Sequence, residues 1–509
     1  MRKSLFHFRN KLTRFDLSEK TNKMKFTKSL TQLLAEANAT GEGSLKRTLG
    51  SWNLIALGIG AIIGAGLFVR TAAAAGEAAG AAVTLSFIVA AIGCAFAGLC
   101  YAEFAAMIPI AGSAYTYAYT TMGEVVAWII GWALIMEYAL GAATVSIAWS
   151  EYLNKLLGGA IPYEWSHSPF ESLNGVSGII NLPALVILLL LTLVLIKGTQ
   201  ESAKLNAVIV FIKVAIVLIF IVVGWHFIKP ENHTPYLIPE GTPGHEGIFK
   251  WGWGGVLGGA AIVFFAFIGF DAVSTAAQEA KNPKKDMPIG ILGSLVVCTI
   301  LYILFSHVLT GVTNWQEFAD PAKGKEASVA YAISTYMPGF GWLATGITVA
   351  ILAGFSSVIL VMLLGQSRVF YTMSKDGLLP KIFSELHPKF STPYKSNIIL
   401  FFLVGGFAAF VPGSVAGDLT SFGTLLAFVL VSAGIWILRV QNPNLERPFK
   451  TPLVPLVPIL GILVCGGMIV ALDINTLKVA ALWMALGLLV YFLYSKNHSV
   501  VRKEAAAKK

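Results

Sequence analysis

The chain has 509 residues, of which 56% are hydrophobic and only 13% charged, and its mean hydropathy is +0.72. Soluble globular proteins carry about 25% charged residues, so this composition excludes a chain of soluble domains and predicts an all-α polytopic membrane protein. The net charge of +10 does not indicate nucleic-acid binding. Most of the basic residues fall in alternate loops between apolar segments, as membrane topology requires.

Twelve apolar segments are long enough for helices that cross a hydrocarbon core about 30 Å thick. The predicted spans are 50–70, 81–107, 125–152, 178–197, 203–227, 254–275, 288–312, 341–367, 396–412, 416–439, 454–472 and 476–494. We expect a basic arm (1–49), two five-span blocks (50–227 and 254–439), spans 11 and 12 (454–494) and a tail (495–509).

The distribution of lysine and arginine predicts the orientation. The N-terminal arm, the loops after the even-numbered spans and the tail hold 29 of the 37 basic residues, and the opposite loops hold 7. This bias predicts cytoplasmic termini in a multi-pass protein of the cell membrane. The arm has no long apolar run, so we expect no cleavable signal peptide. We expect no disulfides, because all the cysteines fall inside predicted spans: Cys94, Cys100, Cys298 and Cys465.

Glycines interrupt the first predicted span. The stretch GIGAIIGAGLFVR (58–70) holds four glycines, each costing roughly 1 kcal/mol relative to alanine inside a helix. A second glycine-rich stretch, GGVLGGAAIVFFAFIGFD (254–271), opens the sixth span. The two stretches begin two five-span blocks of opposite orientation, and paired broken helices at such positions indicate a transporter's binding site. Close packing between helices is the alternative explanation for the glycines.

Broken helices expose backbone groups that suit an amino acid. The free N–H groups and positive dipole at the start of a half-helix attract a carboxylate. Free carbonyl groups at the end of the preceding half-helix attract an ammonium group. A site with both therefore matches an α-amino acid.

Three motifs resemble the permeases of the amino acid–polyamine–organocation superfamily, and above all its cationic amino acid transporters and their bacterial relatives. Two are the runs EAKNPKKDMPIGI (279–291) and SRVFYTMSKDGLLPKIF (367–383). The third is a pattern of spaced residues: Tyr101, Glu103, Pro109, Gly112, Ser113, Tyr115 and Tyr117.

This resemblance implies an inverted-repeat fold of five plus five helices, with broken helices 1 and 6 and spans 11 and 12 outside the repeat. It also implies that the backbone amides of Ala65 and Gly66 hold the substrate carboxylate. Phe265 would gate the site. The amine would meet four backbone carbonyl groups: Ile62, Phe265, Ala266 and Ile268.

Lys213 lies alone in an apolar span, about 15 Å from its cytoplasmic start. A charge there costs at least about 2.5–3.5 kcal/mol unless it has partners. The resemblance implies that its amine takes the place of the sodium ion in sodium-coupled relatives of this fold, and carries the coupled proton. An always-charged structural lysine is the alternative. The implied neighbours of the amine are the carbonyls of Gly60 and Ile63 and the hydroxyls of Ser356 and Ser357.

Glu137 is a second ionisable residue in mid-span. It could relay the proton, pair with Lys213, or be a protonated carboxyl bonded to backbone. Asp271 follows the second break, where it could cap the next half-helix or transfer a proton. Near cytoplasmic span ends, Glu103, Arg368 and Asp376 are expected to form an inner gate or to stabilise the fold.

These features predict a proton-coupled symporter of small neutral amino acids such as alanine, working by alternating access. The apolar residues around the breaks favour a neutral substrate over a cationic one. A proton-independent exchanger is the main alternative; cationic uptake and a non-transporting sensor are less favoured. We expect no enzyme, because the sequence has no P-loop, no HExxH motif and no nucleophile with an evident base. We expect no metal and no cofactor apart from the proton. The expected partners are the amino acid substrate and the bilayer, with no nucleic acid, and the sequence does not indicate an oligomeric state or small subunits.

Overall fold

A computed structural model describes residues 26–28, 49–108, 113–197, 202–277, 280–320, 328–390 and 392–507. Several predicted features lie outside this part of the chain: most of the N-terminal arm, the motif residues Pro109 and Gly112, Glu279 of the run 279–291, and the last two residues of the tail.

The described residues form a bundle of helices. The first eight are α1 (Ser51–Ile62), α2 (Val83–Met107), α3 (Ser113–Thr121), α4 (Glu124–Leu156), α5 (Leu182–Lys197), α6 (Ser202–Gly224), α7 (Gly252–Val263) and α8 (Ala272–Thr275). The next eight are α9 (Pro283–Val312), α10 (Ser328–Tyr336), α11 (Gly341–Lys375), α12 (Tyr394–Phe410), α13 (Gly413–Gln441), α14 (Leu456–Val470), α15 (Ile474–Val490) and α16 (Val500–Ala507).

Strands are confined to one short hairpin between α4 and α5 within the described ranges. Its strands β1 (Ser172–Leu173) and β2 (Val176–Ser177) pair antiparallel, with Ser172 opposite Ser177. Sequence reasoning did not predict this hairpin, nor the short helices α3 and α10, because none of them is long enough to appear as a membrane segment.

Eight helical segments in the described chain are long and apolar enough to cross a membrane. Four shorter apolar helices, α1, α5, α12 and α14, accompany them. Each predicted span overlaps one of these segments, and the protein is a polytopic helical membrane protein. Twelve crossings and an inverted repeat remain predictions.

The helices that surround the two glycine-rich stretches pack in long pairs. α4 runs along α11 and α13, while α9 runs along α2 and α1. This packing buries both stretches at the centre of the bundle: Ile62, Ala65 and Phe265 are each at most 6% exposed.

Two ends of the bundle can be distinguished by the termini. The segment Phe26–Lys28 and helix α16 meet at one end, where the Arg502 guanidinium lies 4.1 Å from the centre of the Phe26 ring. We call this end the terminal face, and the opposite end, which carries the β-hairpin, the distal face. α1 begins beside the start of α9, where the Lys281 N–H donates to the carbonyl of Leu49 at 2.8 Å.

Candidate functional site

The first glycine-rich stretch is a broken helix. α1 ends at Ile62, and Ile63 has an extended backbone (φ −72°, ψ 105°). Helical structure resumes with the π-helical turn Gly66–Arg70 and continues towards the distal face through Thr71–Ala74 and Ala75–Ala79. We call residues 66–79 the distal half-helix. The Gly66 N–H belongs to its first turn, where N–H groups generally have no partner within the helix.

The second glycine-rich stretch breaks in the same way. α7 passes into the 3₁₀ turn Phe264–Phe267, Ile268 is extended (φ −60°, ψ 136°), and the short helix α8 starts at Ala272. Gly269 has a φ of +111°, a backbone conformation that side chains with a Cβ rarely adopt.

The two breaks lie directly against each other. A Cβ built on Gly66 would lie 2.2 Å from Ala266 Cα, and one built on Gly269 would lie 2.9 Å from the Ala61 carbonyl oxygen. Glycine at both positions therefore lets the two unwound segments touch through their backbones. The six predicted substrate-binding residues are thus brought together in one buried cluster: Ile62, Ala65, Gly66, Phe265, Ala266 and Ile268.

Lys213 reaches the first break from α6. Its Nζ donates to the carbonyl oxygens of Gly60 at 2.9 Å and Ile63 at 3.0 Å, and the residue is 2% exposed. Its alkyl stem crosses α11 at Gly354, where a built Cβ would lie 2.7 Å from Lys213 Cε.

The two serines predicted beside Lys213 lie two and three residues beyond Gly354 on α11. The Ser356 hydroxyl donates to the Leu352 carbonyl of its own helix at 2.9 Å. Ser357 is buried on the same helix.

Glu137 does not pair with Lys213, which was one of three roles left open for it. The lysine is bonded to backbone, and neither carboxylate oxygen of Glu137 has a hydrogen-bond partner among the described residues. Glu137 packs against Gly423 of α13 and lies close enough to Asp271 for the two carboxylates to interact electrostatically.

Asp271 occupies the N-cap position of α8 but makes no capping hydrogen bond with its side chain, so the capping alternative is not realised. Its carboxylate instead accepts from the Tyr138 hydroxyl at 3.2 Å.

Tyr302 of α9 was missed by sequence reasoning. Its hydroxyl lies 3.0 Å from the carbonyl oxygen of Ile62 and 2.9 Å from that of Ala266, which are two of the four predicted amine ligands. A third, the Phe265 carbonyl, accepts from the Ile268 N–H at 3.3 Å. A tyrosine in an apolar span resembles an ordinary core residue, so no local signal pointed to it.

A cavity of about 520 Å³ lies on the distal side of Ala65. Arg70, on the distal half-helix, lines this cavity and forms an ion pair with Asp418 of α13. Its guanidinium lies against Gly417, where an added Cβ would be 3.2 Å from Arg70 Cζ. The walls come from α4, the hairpin loop and the start of α13: Thr144, Ile147, Ala148, Glu151, Tyr163, Phe170, Glu171, Ser172, Leu173, Pro412, Gly413, Ser414 and Val415.

Charged contacts close the terminal face. The Lys28 ammonium lies 2.5 Å from a carboxylate oxygen of Asp376, whose other oxygen accepts from the Tyr115 hydroxyl at 2.6 Å. Glu124 accepts from Tyr491 at 2.7 Å and from Arg502 at 2.6 Å.

Glu103 occupies the centre of a separate charged cluster near the terminal ends of α2 and α13. It is fully buried and accepts from Arg439 at 2.8 and 2.9 Å and from the Thr451 N–H at 2.8 Å, with Arg447 3.1 Å away. The cluster ties α2 and α13 to the loop before α14, which favours the fold-stabilising alternative for Glu103.

Known proteins resemble this chain over most of its length. The model of a family described as amino acid permease matches residues 49–494, which include both breaks and Lys213. The chain belongs to the amino acid permease family. It is a membrane permease of the amino acid–polyamine–organocation superfamily, and not an enzyme.

Several relatives extend over most of this permease. It is 43% identical to the branched-chain amino acid permease BcaP of Bacillus subtilis, over 93% of this chain and 97% of the relative. It is 41% identical to the methylthioribose transporter of the same organism, over 90% of this chain and 96% of the relative. It is 34% identical to the vacuolar cationic amino acid transporter 4 of Arabidopsis thaliana, over 79% of this chain and 65% of the relative.

Proposed function

We propose that this permease is a proton-coupled symporter of neutral amino acids that works by alternating access. In this proposal the twelve spans form two inverted five-helix repeats plus spans 11 and 12. Both termini face the cytoplasm, so the terminal face is intracellular and the distal face extracellular. The observation that carries the proposal is the pair of hydrogen bonds from Lys213 to the carbonyls of Gly60 and Ile63 in the first break.

Lys213 can couple proton movement to the broken helix because its bonds depend on its charge. An ammonium group makes charge-assisted hydrogen bonds, which are roughly twice as strong as bonds between neutral groups. The protonated lysine therefore holds α6 to the end of α1, and loss of the proton loosens that attachment. The proton enters from the extracellular side and leaves to the cytoplasm together with the substrate.

Glu137 is proposed as a second group that exchanges the coupled proton. Its burial without a hydrogen-bond partner and its closeness to Asp271 support this role, since ionisable groups inside a membrane are costly and usually functional. Asp271 connects it to the second break.

The substrate is proposed to lie between the two breaks. Its carboxylate meets the N–H groups of Ala65 and Gly66, and its ammonium meets the carbonyls of the predicted amine ligands, beside the Phe265 gate. Apolar side chains around the breaks favour a small neutral substrate such as alanine, and the branched-chain permease among the relatives supports an apolar side chain. The four predicted amine ligands are backbone carbonyls, which suit any α-amino acid: Ile62, Phe265, Ala266 and Ile268.

Uptake into proteoliposomes separates this proposal from a proton-independent exchanger. A symporter accumulates labelled alanine in vesicles without internal amino acid when the proton gradient points inwards. An exchanger moves label only into preloaded vesicles, and Lys213 would then be a permanent ammonium. Unlabelled leucine, arginine and methylthioribose added as competitors would rank the substrate classes.

A further inference from the structure

Tyr302 links the two broken helices through a single hydroxyl group. The hydroxyl oxygen is 3.0 Å from the Ile62 carbonyl oxygen in the first break and 2.9 Å from the Ala266 carbonyl oxygen in the second. Lys213, by comparison, bonds to carbonyls of the first break.

The position of this hydroxyl is fixed by aromatic packing. Tyr302 is fully buried, and its ring centre lies 5.4 Å from that of Phe87 on α2 and 5.3 Å from that of Phe267 in the second break. These packed rings hold the hydroxyl within hydrogen-bond distance of both carbonyl groups.

Hydrogen-bond arithmetic allows the hydroxyl and a substrate amine to share the carbonyls. A phenol has one proton to donate, whereas each backbone carbonyl oxygen has two lone pairs. Two carbonyls therefore retain free acceptor sites beside Tyr302, which an ammonium group with three N–H donors can occupy. When the ammonium leaves, the tyrosine hydroxyl is still present.

We propose that Tyr302 is a positioning residue whose single hydroxyl proton is shared between these two carbonyls in the carrier without substrate, so that the pair never loses its donor entirely. A symporter must return unloaded, and buried carbonyls that lose every donor would hinder that return. Tyr302 therefore decides whether the permease supports net uptake or only exchange, in which the carrier returns loaded. This inference rests on the amino acid site proposed above.

The variant Tyr302→Phe removes only the hydroxyl and preserves the ring packing. We expect net alanine uptake into vesicles without internal amino acid to fall about tenfold, the factor for one lost hydrogen bond to a buried group. Exchange into preloaded vesicles should fall by no more than about twofold, since the substrate ammonium supplies the missing donor. Retained exchange also shows that the variant is folded.

Tyr152→Phe is the matched control. Its hydroxyl donates at 3.3 Å to the carbonyl of Phe68 in the distal half-helix, which is not one of the four predicted amine ligands. Any loss in this variant should be the same in both assays. Equal losses of net uptake and exchange in Tyr302→Phe, or no loss in either, would overturn the inference.

Melting temperatures test Tyr302 independently of proton coupling. Saturating alanine should raise the melting temperature of Tyr302→Phe more than that of the wild type. In the variant the bound ammonium supplies a hydrogen-bond donor that the wild type already has in the Tyr302 hydroxyl. An equal rise in both proteins would contradict the inference. Absence of gradient-driven uptake by the wild type would instead refute the symporter proposal, while this comparison would still test Tyr302.

Discussion

The stem of Lys213 lies directly against the backbone of Gly354. A Cβ built on Gly354 would lie 2.7 Å from Lys213 Cε and 3.2 Å from Lys213 Cγ. The missing side chain provides the path by which a lysine on α6 reaches the carbonyls of Gly60 and Ile63. Gly354 thus supports the lysine site without contributing a polar group to it.

Gly354→Ala should therefore impair Lys213 without removing it. Overpacking of a buried site costs about 1–3 kcal/mol, and here the strain falls on the lysine stem. We expect gradient-driven alanine uptake to fall about tenfold or more. Gly346→Ala on the same helix is the control, since a Cβ there would meet no atom within 4 Å. Equal activity of the two variants would show that the slot at Gly354 is not needed.

Gly66→Ala should abolish substrate binding. The added methyl group would lie 2.2 Å from Ala266 Cα, so one of the two backbones must move. That movement separates the proposed carboxylate ligands from the proposed amine ligands. Equilibrium binding of labelled alanine to the purified protein measures the effect.

Gly467→Ala on α14, which has no atom within 4 Å of the new Cβ, should bind alanine like the wild type. Normal binding by Gly66→Ala would mean that the substrate does not lie between the two breaks.

The contributions of Arg70 and Asp418 to the free energy of unfolding should depend on each other. Both are largely buried, with exposed side-chain fractions of 4% and 17%. Removal of one partner from a buried ion pair costs about 3–5 kcal/mol, because the other charge is left unpaired. We expect Arg70→Gln and Asp418→Asn each to lower the free energy of unfolding by this order, and the double variant to lower it by less than the sum. Chemical denaturation of the wild type, the two single variants and the double variant measures these free energies of unfolding. Strictly additive losses would show that the two residues are not coupled.

Glu103→Gln should destabilise the fold rather than alter transport specifically. The substitution leaves Arg439 and Arg447 without the carboxylate that both contact, at a cost of about 3–5 kcal/mol. The melting temperature should drop clearly, with uptake per folded molecule unchanged. Glu385→Gln removes an exposed carboxylate paired with Lys395 and should leave the melting temperature unchanged. A normal melting temperature with lost uptake would instead assign Glu103 to a gate.

The sequence revealed those parts of the site that leave a local mark. Glycines in an apolar stretch indicated both breaks, and an isolated lysine in a span indicated Lys213. The contact between Gly66 and Ala266 joins residues 200 positions apart, and how closely their backbones approach depends on the packing of whole helices. Such contacts cannot be read from spacing along one helix.

The missed residues resemble core residues when read locally. Tyr302 and Gly354 carry no unusual pattern, and each acquires its role only through a partner on another helix. Arg70 looked like the end of a span, whereas the helix continues to Ala79 and places it inside the bundle beside α13. The three roles left open for Glu137 could not be narrowed from the sequence, because charge alone does not specify which helix faces which.

The most direct test of proton coupling is alanine accumulation in vesicles without internal amino acid, with and without an inward proton gradient, by the wild type and by Lys213→Met. We predict accumulation by the wild type only when the gradient is present, and none by Lys213→Met under either condition. Full uptake by Lys213→Met with unchanged dependence on pH would contradict the account, because the proton would then be carried without the lysine.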